Sequence, residues 1–140
     1  MPEKSSKSIR FRHFLLLFTF IYMVLVAIVS LVPPSMIVQS GFYFRNMDKW
    51  VHGTMYCILA VLLFLVLPQK TNIKRWIITL FTFILAFVYS LVLELLQGMI
   101  ISLSRSFEWE DLWANATGAI AGILIMVLLY LPIRKKAISG

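Results

Sequence analysis

Four long apolar runs, at residues 14–32, 50–67, 76–101 and 112–133, divide the chain, and its polar positions gather between them. The first and last runs hold no Asp, Glu, Lys, Arg or His. The second holds only His52 and the third only Glu94. Crossing about 30 Å of hydrocarbon takes roughly 20 apolar residues as a helix. Barrel strands would be shorter and would alternate polar with apolar, which these runs do not. Pro33-Pro34 closes the first run and Pro68 the second, because proline lacks the N–H that a continuing helix needs. Ser106, followed by Glu108, Glu110 and Asp111, predicts a capped helix start with acids facing the helix dipole, and Pro132 marks that helix's end. The expected fold is all-α: a compact bundle of four transmembrane helices at about 14–32, 50–67, 76–101 and 108–132. A basic stretch at 1–13 precedes this 14–133 membrane domain, and a basic tail at 134–140 follows it. The third run exceeds the span it needs, so it should tilt or protrude.

Composition sharpens this picture. The chain is 61% hydrophobic and 14% charged, against about 45–50% and about 25% in soluble domains. That excludes an ordinary soluble enzyme and a disordered tail. A net charge of +7 would suit nucleic acid if it formed one patch, but it is split into short clusters between apolar runs. The bilayer is therefore the expected partner, and nucleic acid is not. The lone Cys57 cannot form an intramolecular disulfide. The first run is longer than a signal-peptide core and has no small-x-small site before Pro33, so an uncleaved anchor is expected.

The cations set an orientation. Lys4, Lys7, Arg10, Arg12, Lys70, Lys74, Arg75, Arg134, Lys135 and Lys136 fall on one side; Arg45, Lys49 and Arg105 fall on the other. Cytoplasmic segments of multi-pass proteins carry the excess of Lys and Arg. Both termini are thus expected in the cytoplasm of a cell-membrane protein, with the loops near 33–49 and 102–111 outside.

Five of the six acids then lie towards the outer side. Asp48, His52 and Tyr56 recur every four residues, so they share one helix face. They are either a polar stripe lining a shared cavity or an ordinary interfacial helix start with Trp50 and Tyr56 as belt aromatics. Glu94 and Gln97 are neighbours on the third helix, with Glu94 about 10 Å inside its outer end at 1.5 Å per residue. An ionised carboxylate facing lipid at that depth costs several kcal/mol (~2.5–3.5), so Glu94 should face the bundle, with His52, Lys49 or Arg105 as partner. It belongs either to a polar clamp between helices or to a functional pocket. Asp111, Asn115, Gly118 and Gly122 share a face of the fourth helix, and Ala114, Gly118 and Gly122 form a small-xxx-small series that permits close helix contact. Arg105, the only base in its loop, is expected to pair with Asp111 or Glu94.

No metal or other cofactor is expected. His52 with Glu94, Asp48 or Asp111 would offer ligands, but there is no H-E-x-x-H motif and no cysteine cluster. Ser102, Ser104 or Ser106 would complete a Ser–His–Asp set, but no G-x-S-x-G elbow accompanies them.

The stretch 48–56, with Asp48, Lys49, His52 and Tyr56, resembles the D-K-x-x-H-x-x-x-Y signature of VanZ-like membrane proteins. A second stretch resembles the same family's E-x-x-Q, R-x-F and D-x-x-x-N-x-x-G-x-x-x-G pattern, through Glu94, Gln97, Arg105, Phe107, Asp111, Asn115, Gly118 and Gly122. The resemblance covers roughly 45–130; the outer loop here is short and acidic. It implies a small membrane protein of a family whose founding member is linked to reduced sensitivity to the glycopeptide teicoplanin. Three readings follow. One is an envelope protein whose outward polar cup, made of Asp48, Lys49, His52, Tyr56, Glu94, Gln97, Arg105, Asp111 and Asn115, affects handling of a cell-wall precursor or glycopeptide. Another is a membrane-embedded enzyme on a lipid-linked or peptidoglycan precursor, with Glu94 as acid/base and His52 tuning it. A minimal transporter is disfavoured, since the four helices show no inverted repeat.

Overall fold

The computed structural model describes residues 3–31, 47–67, 73–99 and 107–138. Within them the chain is all-helical: α1 (Glu3–Leu31), α2 (Met47–Val66), α3 (Arg75–Met99) and α4 (Trp109–Ile138). Each contains a segment long and apolar enough to cross a membrane. The fold expected from the apolar runs is the fold observed.

Three helix ends differ from expectation, the first being α1, which begins at Glu3 and takes in most of the basic stretch expected to precede it. Asp111 N–H and Leu112 N–H donate to the Glu108 carbonyl at 3.2 and 3.3 Å, so Glu108 occupies the cap position of α4. Ser106, the expected cap, lies outside the described residues. At the other end α4 runs through Pro132 to Ile138 rather than stopping there. Proline removes one N–H and strains one turn, at a cost of about 3 kcal/mol. A helix already held by its packed N-terminal half tolerates that single break.

The core is layered along the bundle axis. Val26, Tyr56, Leu59 and Leu93 form one buried layer, and Ala60, Ala86, Ala119 and Ile123 the next. Phe64, Ile78 and Met126 fill the far end. Alanines dominate the middle layer because lipid supplies no hydrophobic drive for association; small side chains let backbones approach and maximise dispersion contact. The pairing of α2 with α4 is the most extensive in the bundle. A Cβ on Gly118 would strike the Gly53 carbonyl, and one on Gly122 the Cys57 carbonyl. No side chain larger than hydrogen fits there, so these glycines set the closeness of the seam.

Helix α1 is the outlying element. Most of its large side chains, such as Phe14, Leu17, Phe20 and Ile28, are exposed, as a lipid-facing surface requires. It is tied on by polar contacts. Tyr22 donates to the Met55 carbonyl at 3.0 Å, and Tyr89 donates to the Met23 carbonyl at 2.6 Å. Gln97 Nε2 donates to the Ser30 carbonyl at 2.6 Å. Ser30 lies in the last turn of α1, where carbonyls have no intrahelical donor, so Gln97 closes that helix end. Exposed Trp50, Trp109 and Trp113 ring the same end of the bundle, with Trp76 at the other. This is the placement of interfacial aromatic belts.

Candidate functional site

The polar side chains converge at the end of the bundle where α2 and α4 begin and α1 and α3 finish. His52, Tyr56, Glu94, Gln97, Asp111 and Asn115 are all less than 5% exposed. Their burial follows from helix period. His52 and Tyr56 are one turn apart on the inward side of α2, where His52 meets Asn115 of α4 and Tyr56 packs with Val26 of α1 and Leu93 of α3. On α3, Thr82, Ala86, Ser90, Leu93, Glu94 and Gln97 form the buried stripe, so Glu94 points into the bundle.

A hydrogen-bonded chain links three helices. Asn115 Nδ2 on α4 donates to Ser90 Oγ on α3 at 2.7 Å. That bond orients the amide so that Asn115 Oδ1 faces His52 Nδ1 on α2, 3.1 Å away. An amide oxygen accepts only, so Nδ1 carries the proton and donates. The other ring nitrogen, Nε2, faces Asp48 Oδ1 and Asp111 Oδ2, each 3.9 Å away and beyond hydrogen-bond reach. Asp48 is half-exposed while Asp111 is buried, so the pair marks the step from water into the protein.

Lys49 sits above this chain. Its Nζ lies 2.7 Å from Glu110, 3.3 Å from Asp111 Oδ1 and 3.6 Å from Glu108, drawing the first turn of α4 onto α2. Lys49 therefore offsets part of the negative charge of that turn, whereas the sequence offers it, with His52 and Arg105, as a partner of Glu94. Arg105, expected to pair with Asp111 or Glu94, lies outside the described residues. One donor atom from each of Asp48, His52 and Asp111 lies within 4.8 Å of the others, a grouping able to hold a metal ion. The sequence offers these residues as ligands but without a metal motif, because Asp111 is far from the other two in the chain.

Tyr56 and Glu94 lie deeper. The Tyr56 hydroxyl is buried and, among the described residues, meets no partner at hydrogen-bond geometry. Gln97 faces away from the His52 group and serves α1. Ser90 and Ser30 belong to this polar system and were not singled out from the sequence. Ser90 stands four residues before Glu94, the spacing that identifies a shared helix face. The Ser30 contact is through its carbonyl, which no residue pattern could reveal.

The VanZ/LLP1 family matches residues 2–130, nearly the whole chain. No curated protein and no solved structure matches it. The match takes in all four membrane-type helices up to the last part of α4, together with every residue of the polar cluster. The chain belongs to the VanZ/LLP1 family.

Proposed function

We propose that this VanZ-type protein is a multi-pass protein of the cell membrane, with cytoplasmic termini and an outward-facing polar cup that bears on the handling of a cell-wall precursor or a teicoplanin-type glycopeptide. The observation that carries this reading is the Ser90–Asn115–His52 chain, continuous with Asp48, Asp111 and Lys49 at one end of the bundle. Polar contacts between membrane helices average only about 0.6 kcal/mol. So many buried polar groups gathered at one end are more than helix association needs. Ionisable groups within spans mark functional sites. The partition of Lys and Arg supports placing that end outside.

The test is glycopeptide sensitivity of a host expressing wild type, His52→Ala or Glu94→Gln, with membrane abundance measured alongside. Wild type should lower sensitivity, and both variants should lose the effect at equal abundance. Unchanged sensitivity with wild type present overturns the reading.

A second reading rests on the buried carboxyl of Glu94 and the fixed orientation of His52: an enzyme acting on a lipid-linked or peptidoglycan precursor, with Glu94 as acid/base. Turnover of such a precursor by purified protein, lost in Glu94→Gln, separates it from a binding role.

A further inference from the structure

We propose that Asp48, His52 and Asp111 bind a divalent first-row transition-metal ion, with zinc the best chemical match, at the aqueous end of the α2–α4 seam. Binding to purified protein does not depend on the envelope reading, so the two stand or fall separately.

With the His52 ring neutral, three acceptors converge there. With a proton on Nδ1 against Asn115, Nε2 of the neutral ring presents its lone pair to Asp48 Oδ1 and Asp111 Oδ2, both 3.9 Å away. A lone pair facing two carboxylates needs a cation. The nearby ammonium of Lys49 does not fill that role: it holds Asp111 by Oδ1 and leaves Oδ2 directed at the ring. Among the described residues, Asp48, Glu108, Glu110 and Asp111 outweigh that single ammonium, so the pocket attracts positive charge.

The dimensions suit a metal. Donors about 2.0–2.2 Å from a tetrahedral zinc stand roughly 3.4 Å apart. The two histidine–carboxylate separations of 3.9 Å close to that value with a small contraction, and the carboxylates, within 4.8 Å of each other, are brought together by a swing of Asp48. Half-exposed Asp48 has the freedom to swing inward and gives the ion its entry path. One imidazole and two carboxylates leave a fourth position for water, the pattern of zinc sites that stay open. A ligating histidine commonly donates its second N–H to an oxygen that fixes the ring. Asn115, itself held by Ser90, plays that part here.

A proton on Nε2 would satisfy the same carboxylates, and titration separates the two. Full-length protein carrying a non-histidine affinity tag is purified in detergent, stripped with chelator and titrated with Zn²⁺ by calorimetry, and with Co²⁺ by visible absorption. Wild type should take up one equivalent and give the ligand-field bands of four-coordinate cobalt. Asn115→Ala should weaken zinc binding by about 10–100-fold, as loss of an orienting partner does. His52→Gln should weaken it by at least about as much, since it removes a ligand outright. Asp48→Asn, altered at a half-exposed side chain and so harmless to folding, should also weaken it; His13→Ala, at the opposite end of the bundle, should not. Substoichiometric uptake by wild type, or equal binding in wild type and Asp48→Asn, overturns the proposal and leaves an imidazolium between the two carboxylates.

Discussion

Asn115 does more with one side chain than any other residue here. Its amide supplies a donor to Ser90 and an acceptor to His52, so it sets the tautomer of the ring and joins three helices. Replacing it by leucine keeps the branched shape but strands His52 Nδ1 and the Ser90 hydroxyl. A buried group left unsatisfied costs about 1–3 kcal/mol. Asn115→Leu should therefore lower the thermal unfolding midpoint in detergent clearly, and Ser90→Ala, which removes one acceptor, should lower it less. Equal midpoints for Asn115→Leu and wild type would show that the chain contributes nothing to stability. The acids around Lys49 differ in the same way. Glu110 is exposed and Asp111 is buried. Solvent screens the outer pair, whereas opening the inner one leaves charge uncompensated in a poor solvent. Asp111→Asn should therefore shift the midpoint more than Glu110→Gln, and the Glu110→Gln shift should shrink further in high salt.

Helix pairing is decided at α2 and α4, where backbone meets backbone. Gly53, Gly118 and Gly122 are not equivalent despite sharing the seam. A Cβ at Gly53 would meet the Ala114 carbonyl at an ordinary 3.5 Å. At Gly118 it would run into the Gly53 carbonyl, and at Gly122 into that of Cys57, with Ala60 Cβ beside it. Backbone cannot rotate aside as a side chain can, so the helices would have to part. Overpacking of this kind costs about 1–3 kcal/mol. Gly118→Ala and Gly122→Ala should each destabilise the bundle by that order in detergent unfolding, while Gly53→Ala should be tolerated. The contrast is the informative result, because alanine improves helix propensity at all three positions. The loosened seam would also spread His52 from Asn115 and Lys49 from Asp111. Loss at the polar end is thus expected from substitutions that touch none of its side chains.

Among the described residues, Arg10, Arg12, Lys74 and Arg75 lie towards the end of the bundle opposite His52. Positive charge favours the cytoplasmic side during insertion. The bundle should therefore stand with both termini inside and the His52 end facing out. Reporter fusions after Ser40 and after Ser104 should read external, and one after Thr71 internal. An internal signal at Ser40 would invert the bundle and put the polar cup in the cytoplasm. That result would end the envelope reading without touching the metal proposal.

The four spans were legible because lipid imposes a simple rule: every spanning residue closes its backbone within the helix and presents an apolar side chain. Run length and proline therefore fixed the number and order of helices, although not the continuation of α4 past Pro132, where existing packing outweighs a local penalty. Periodicity put His52 with Tyr56, and Asn115 with Gly118, on shared faces, and the cost of a carboxylate in lipid turned Glu94 inward; whether the His52 face met the bundle or the interface stayed open. Which groups meet across helices was not legible. That depends on the rotation and depth of each helix, which small residues set through backbone contact at Gly118 and Gly122. The tertiary structure alone gave Lys49 to the acids of α4, Gln97 to the Ser30 carbonyl, and Ser90 to Asn115. It also brought Asp111 beside Asp48 and His52, a grouping of donors on two helices that no linear motif encodes.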